Sequence, residues 1–302
     1  MPALAKVFWN GSLIAYEDAK IHIDTPACKS GAAVFEGLRG YWNPEQSQMY
    51  VFRLGDHSER LMRSIKLMRF SPQYTIDYAI SAVATLLGDL KPQVDLHIRQ
   101  TVWLDGAGAA TADAPIGMAV VATPTGRPAG FDTGINCQIS SWMRISDQSM
   151  PPRIKCVANY HNGRLATMQA RLDGYDNALL LNSQGKVAEG PGACFFFVKN
   201  GVIVTPTVTS DILESINRAT TIQLAKECLC LDVEVREVDR TEVYTADEAF
   251  LCGTAAEITP IASIDRFPMK KSPGDITRKL QENLIGIARG AIADHPEWRT
   301  RV

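Results

Sequence analysis

No run of apolar residues in this chain approaches the roughly 20 needed to cross a bilayer. The opening Met1-Pro2-Ala3-Leu4-Ala5-Lys6 lacks the charged, apolar and cleavage regions of a secretory signal. A cytoplasmic protein with no membrane partner is the expectation. An excess of either charge is also missing: 31 Lys and Arg stand against 33 Asp and Glu, a formal net charge of -2. With no Lys/Arg stripe interleaved with aromatics, the chain offers nucleic acid no electrostatic footprint. The seven cysteines contain no CxxC pair. Their odd number and scatter read as reduced, mostly buried small hydrophobes suited to a reducing compartment. The five histidines make no HExxH or comparable spacing, so no metal site is expected. Repeats and low-complexity tracts are absent as well.

What is present is an ordinary globular composition, 46% hydrophobic and 21% charged over 302 residues, enough for two domains with substantial cores. Phe8-Trp9-Asn10-Gly11-Ser12-Leu13-Ile14 is a hairpin signal. Strands are predicted over 34–42 and 49–53. Asp56-His57-Ser58-Glu59 has capping-box spacing ahead of the apolar Leu61, Met62, Ile65 and Met68, which puts Arg60 in the first turn of a helix. A helix over 75–90 and an alternating strand over 94–104 follow. That strand carries His97 and Arg99 on one face, either solvated or lining a cleft. Asp105-Gly106-Ala107-Gly108 is a weak match to a dinucleotide-binding turn and reads as a loop. A buried strand over 116–123 leads into the densest breaker cluster, 124–130, where a domain boundary belongs. Beyond it the pattern predicts strands over 135–142, 177–182, 193–198, 233–237, 248–252 and 257–264, and helices over 160–172, 216–228 and 273–291. The fold class is mixed α/β.

Chemistry centres on Lys155. Pro151 and Pro152 predict an extended approach over 150–153, and behind the lysine Leu165, Ala166, Met168, Ala170 and Leu172 read as the apolar side of a helix. Arg60 at a helix start is either the partner of Glu59 or Asp56, or an anion clamp. Three turns look like anion cradles: Ala188-Glu189-Gly190-Pro191-Gly192, Glu214-Ser215-Ile216-Asn217 and Gly253-Thr254-Ala255-Ala256. Glu189 is either a solvated turn residue or a carboxylate turned inward to meet a cation.

A lysine, an inward carboxylate, a nearby tyrosine and phosphate-type turns are the set that pyridoxal phosphate chemistry requires. In order along the chain stand Phe8-Trp9-Asn10-Gly11, Val34-Phe35-Glu36-Gly37-Leu38-Arg39, Phe52-Arg53 through Glu59-Arg60-Leu61, and Ser140-Ser141-Trp142. Lys155 with Asn159-Tyr160, Glu189-Gly190-Pro191-Gly192 and Gly253-Thr254-Ala255-Ala256-Glu257-Ile258-Thr259-Pro260 complete the series. Jointly these resemble the fold-type IV pyridoxal-phosphate-dependent aminotransferases, specifically the branched-chain amino acid aminotransferase group. The resemblance implies an α+β enzyme with a small α/β sandwich domain (1–125), an interdomain linker (126–134) and a larger α/β pseudo-barrel domain that binds the cofactor (135–302).

By that resemblance Lys155 is the Schiff-base lysine, Glu189 pairs with the pyridine nitrogen and Tyr160 hydrogen-bonds the ring O3'. Arg60, Thr254 and the backbone of Ile216 and Asn217 hold the phosphate, and Leu213 packs on the ring. Phe35, Gly37, Arg39, His97, Arg99 and Ala255 line the substrate pocket. It also implies ping-pong transfer of an amino group from a branched-chain or other apolar L-amino acid to 2-oxoglutarate, by a homodimer or dimer-based assembly. The chain departs from the family where it has His97 and Ser30 in place of tyrosines, and Glu214-Ser215-Ile216-Asn217 in place of Pro-Gly-Ile-Thr. Two other readings therefore stay open: a D-amino acid or (R)-amine transaminase on the same fold, and a pyridoxal-phosphate-binding protein without turnover.

Overall fold

The computed structural model describes residues 3–71, 73–109, 111 and 113–302. Two compact units emerge: Met1–Gly126 with Ile154–Ala158 and Gly286–Val302, and Arg127–Arg153 with Asn159–Ile285. This division differs from the expected 1–125, 126–134 and 135–302, because two later segments belong to the first unit through backbone pairing that local sequence pattern does not encode.

The first unit is built on one antiparallel sheet. Its strands are β1 (Lys6–Trp9), β2 (Ser12–Ala15), β3 (Ala33–Asn43), β4 (Gln48–Phe52), β5 (Leu96–Leu104), β6 (Ile116–Pro124) and, from the C-terminal segment, β16 (Arg299–Arg301), in the order β16-β4-β3-β5-β6-β1-β2. The β1–β2 hairpin turns on Asn10 (φ 47°) and Gly11 (φ 93°), the left-handed pair that a two-residue hairpin needs. Helix α1 (Pro26–Ser30) precedes β3, and α2 (Leu54–Leu67) and α3 (Ile76–Leu90) join β4 to β5. Leu61, Ile65, Val83 and Leu86 bury against Val34, Leu38, Leu96 and Ile98, each contributing about 1.5–3 kcal/mol. β4 does not reach the start of β3. There the segment Ile154–Ala158 takes the edge: Phe35 N–H donates to Lys155 O at 3.0 Å and Val157 N–H to Ala33 O at 2.9 Å.

The capping-box expectation needs correction. α2 starts at Leu54, with Arg53 in the left-handed region (φ 51°) as its cap residue. Asp56 lies inside the first turn and is bound by the Arg53 guanidinium at 2.8 and 2.9 Å. Arg60 consequently sits one turn further along than the sequence predicts.

The second unit holds a nine-stranded sheet, from β7 (Ile135–Ile139), β8 (Asn177–Leu179), β9 (Glu189–Gly190), β10 (Ala193–Lys199), β11 (Val202–Pro206), β12 (Val233–Arg236), β13 (Glu248–Gly253), β14 (Glu257–Ile264) and β15 (Phe267–Pro268). Its main path runs β12-β11-β10-β13-β14-β7-β8, parallel at β11–β12, β14–β7 and β7–β8. Helices α4 (Tyr160–Leu172) and α5 (Ile216–Glu227) belong to this unit, and α6 (Asp275–Arg289) begins in it. α4 contradicts the predicted apolar side. Gly163, Ala166 and Ala170 are its buried residues, whereas Leu165, Met168 and Leu172 are exposed. A Cβ on Gly163 would stand 2.5 Å from Pro191 O, so the packing selects small size rather than bulk.

Candidate active site

The predicted site residues fall into two clusters, one in each unit. In the first, Lys155 lies on the segment that pairs with β3. Its own N–H donates to Ser64 Oγ at 3.2 Å, so both faces of its peptide are fixed, and its Nζ stands 5.0 Å from the centroid of the Phe35 ring. The approach is not the extended run that the prolines predict: Pro152 and Arg153 form a turn, a conformation for which proline's fixed φ is equally suited.

Strand alternation sorts the neighbours of Lys155 onto two faces. β3 pairs with β5 in the register Phe35–Thr101, Gly37–Arg99 and Arg39–His97, so these six share one face. The Arg99 guanidinium lies 3.7 Å above the Phe35 ring, and Arg39 donates to Gly126 O at 2.6 Å. At Gly37 the strands leave little room for a side chain: a Cβ would meet His97 Nε2 at 3.2 Å, so the imidazole would have to shift. Burial lowers the His97 pKa, and Arg39, Arg99 and Lys155 lower it further. Ser30, at the end of α1, turns its hydroxyl back to Pro26 O at 2.8 Å.

The opposite face brings the predicted Arg60 together with Glu36 and His57, to which sequence reasoning gives no role. Glu36, wholly buried, accepts from Arg60 Nε and Nη2 at 2.7 Å each and meets His57 Nδ1 at 2.7 Å. Arg60 thus pairs with neither Glu59 nor Asp56 in this cluster. Burial by itself would raise the Glu36 carboxyl, but the Arg60 charge and the bonds from Arg60 and His57 hold it well below the usual carboxylate range. Burial pushes the His57 pKa down. The signal in the sequence is the alternation itself, which puts Glu36 on the helix-facing side with nothing apolar to offer.

In the second unit Glu189 is turned inward, 4% exposed, and meets Arg144 Nη2 at 2.8 Å. Leu213 N–H reaches both its oxygens at 3.3 Å, and Cys194 Sγ lies 3.7 Å from Oε2. Arg144, missed in the sequence, supplies the opposite charge that a buried carboxylate requires. Its other bonds, to Asp211 O at 3.3 Å and Asn162 Oδ1 at 3.4 Å, fix its plane. Tyr160 opens α4, which the small Gly163 lets settle onto the Pro191 backbone. At the start of α5, Ser215 Oγ caps the Arg218 N–H, and helix geometry leaves the N–H groups of Ile216 and Asn217 without an intrahelical acceptor. Thr254 and Ala255 sit in the turn between β13 and β14, which resumes at Glu257 (φ 48°), held by Arg127 at 2.9 and 3.0 Å. The extra charge of Glu214 has a cation nearby: Arg153 Nη1 at 3.6 Å. Among the described residues there is no group of three or more potential metal ligands and no helix long and apolar enough to cross a membrane.

The likeness to known proteins spans the whole chain. Residues 33–264 match the family model described as Amino-transferase class IV. A probable branched-chain-amino-acid aminotransferase of Aquifex aeolicus is 38% identical over 298 residues, covering 98% of this chain and 96% of its own length. Among solved structures, the branched-chain amino acid aminotransferase of Thermobaculum terrenum in its PLP (holo) form superposes with a TM-score of 0.95 at 44% identity, covering 100% of this chain and 99% of that one. The branched-chain aminotransferase of the archaeon Thermoproteus uzoniensis, solved with norvaline, gives 0.94 at 36%, with 99% of each chain covered. The two-sheet α/β architecture is therefore that of fold-type IV enzymes, and the chain belongs to the class IV amino-transferase family, in its branched-chain amino acid aminotransferase group.

Proposed function

We propose that the protein is a pyridoxal-phosphate-dependent transaminase that moves the amino group of a branched-chain or other apolar L-amino acid to 2-oxoglutarate. The donor set fits the cofactor: an amine on a rigid backbone, a buried carboxylate and a capped helix start offering two main-chain N–H groups. Pyridoxal phosphate, when bound, supplies an aldehyde that accepts the donor's amino group and a ring that draws electrons from its Cα. Lys155 Nζ would carry the cofactor at rest and, once released, accept the Cα proton. Glu189, fixed by Arg144 and Leu213 N–H, would hold the proton of the ring nitrogen, and Tyr160 the ring oxygen. Arg60, Thr254 and the N–H groups of Ile216 and Asn217 would bind the phosphate. Leu213 would back the ring, and Phe35, Gly37, Arg39, His97, Arg99 and Ala255 would receive the substrate.

The observation that carries this reading is the buried Glu189, turned inward onto Arg144 in a chain of this family. It is tested by the visible absorption of purified protein with pyridoxal phosphate, before and after amino donor. A band that bleaches with L-leucine, with glutamate formed on adding 2-oxoglutarate, supports it. Bleaching only by D-alanine or (R)-1-phenylethylamine would move the assignment to a D-amino acid or (R)-amine transaminase, and binding with no half-reaction to a non-catalytic protein. We also propose a cytoplasmic homodimer, or a larger assembly of dimers. The seven free thiols suit a reducing compartment, and the exposed Leu165, Met168 and Leu172 of α4 offer an apolar surface to a second copy. Light scattering that gives a monomer would refute the assembly.

A further inference from the structure

Lys155 lies at one end of the pairing between its segment and β3, and the ladder breaks there in a specific way. Val34 and Cys156 form an antiparallel bridge, flanked by the bonds from Phe35 N–H to Lys155 O at 3.0 Å and from Val157 N–H to Ala33 O at 2.9 Å. In a regular ladder Lys155 N–H would return the bond to Phe35 O. It turns instead to Ser64 Oγ, at 3.2 Å. Cys156 N–H in turn donates back to Ile154 O at 2.8 Å, a bond across two residues that closes a γ-turn centred on Lys155. The lysine therefore stands at the apex of a three-residue turn, its N–H held by α2 and its carbonyl by β3.

Ser64 is otherwise out of place. It is 1% exposed, on the face of α2 that also buries Leu61 and Ile65, where serine is a poorer helix former than alanine and its hydroxyl needs a partner. Among the described residues its side chain makes no hydrogen bond except the one from Lys155 N–H. An alanine at this position would leave that N–H without its acceptor on α2, and the turn free to open toward the regular ladder, which redirects the lysine side chain.

Building on the proposed transamination, we propose that Ser64 is a positioning residue for Lys155: its hydroxyl oxygen holds the γ-turn closed, so that Nζ is presented in one direction to the aldehyde of pyridoxal phosphate. Nζ bonds to the aldehyde carbon, and the two hydrogens of the neutral amine leave with the aldehyde oxygen as one water. Ser64 acts through the lysine peptide, by removing the orientations from which that bond cannot form.

The test uses two forms of the cofactor. Full-length protein freed of cofactor is titrated with pyridoxal phosphate, which can bond to Lys155, and with pyridoxamine phosphate, which shares the ring and phosphate but carries an amine where the aldehyde stands. Ser64→Ala should weaken pyridoxal phosphate roughly tenfold and leave pyridoxamine phosphate within about twofold. Ser64→Thr, which keeps the hydroxyl, should restore most of the loss. Equal weakening of both forms, as a purely structural role would give, or weakening of neither overturns the inference. A second measurement needs no variant. In the unmodified holoenzyme the Lys155 N–H should exchange with solvent deuterium as slowly as the Leu61 and Ile65 amides of α2, and exchange at the rate of an open loop also overturns it. Failure of the transaminase reading is separately visible, since the unmodified protein would then bind neither form of the cofactor.

Discussion

The two faces of β3 and β5 are one residue apart in sequence and opposite in electrostatic design. On the helix-facing side Glu36 is enclosed by Arg60 and His57, every charge answered at 2.7 Å. On the other side Arg39 and Arg99 stand around Phe35 with Lys155 beside it, and their charges, with burial, lower the His97 pKa. The first set is a buried ion-pair cluster, whereas the second carries side chains proposed to receive the substrate. The two faces should therefore respond differently to substitution: the first through stability, the second through binding and turnover.

The largest effect is expected at Lys155→Ala. Loss of the amine should lower leucine:2-oxoglutarate transamination at least about a thousandfold and remove the visible band, with the thermal midpoint nearly unchanged. Retained turnover would dissolve the contrast. Next comes Glu36→Gln, which leaves Arg60 buried without its carboxylate and should cost about 3–5 kcal/mol in urea unfolding of the apoprotein. A cost below about 1 kcal/mol, the range of an exposed ion pair, would show that the cluster is solvated. Arg99→Leu keeps contact with Phe35 but not the charge. It should raise KM roughly 10- to 100-fold, in line with loss of a charged hydrogen bond, while leaving unfolding within about 1 kcal/mol.

pH sharpens the same contrast. Glu36 has a folded pKa below its unfolded value of about 4.3, so its contribution is complete above that pH and is lost as pH falls toward the folded value. His57 is also depressed. Below its unfolded pKa of about 6.5, the unfolded chain takes up a proton that the folded protein refuses, and stability declines from there downward. In stepped-pH urea unfolding, His57→Gln should flatten the slope between about pH 6.5 and 5, and an unchanged slope would mean that His57 is charged in the fold. The smallest effect is expected at Gly37→Ala. The new Cβ at 3.2 Å from His97 Nε2 should cost under about 1.5 kcal/mol in stability, while altering the ratio of kcat/KM for glutamate over leucine. An unaltered ratio would place His97 outside the substrate space.

Legibility from sequence follows locality. The Asn10-Gly11 hairpin, the β3 strand, the β5 alternation and the α4 start at Tyr160 depend on neighbours within a few residues, and they match the structure. The start of α2 departs from its sequence pattern because a left-handed Arg53 and its bond to Asp56 displace the side-chain cap. The inward side of α4 departs because hydrophobicity is a poor guide where the approach of Pro191 demands small residues. Arg144 has no local pattern at all, and only its distant partner Glu189 reveals it. The membership of Ile154–Ala158 in the first unit rests on pairing with β3 across most of the first half of the chain.

That pairing has a consequence for the nascent chain. The ribosome delivers β1 to β6 before either late piece of the same sheet, so until Ile154–Ala158 emerges the N-terminal end of β3 presents unpaired N–H and C=O groups along one edge. The edge of β4 waits still longer, for Arg299–Arg301. Exposed edges of this kind recruit foreign strands. The stretch that carries the reactive lysine is therefore also the cover that closes an aggregation-prone border partway through synthesis.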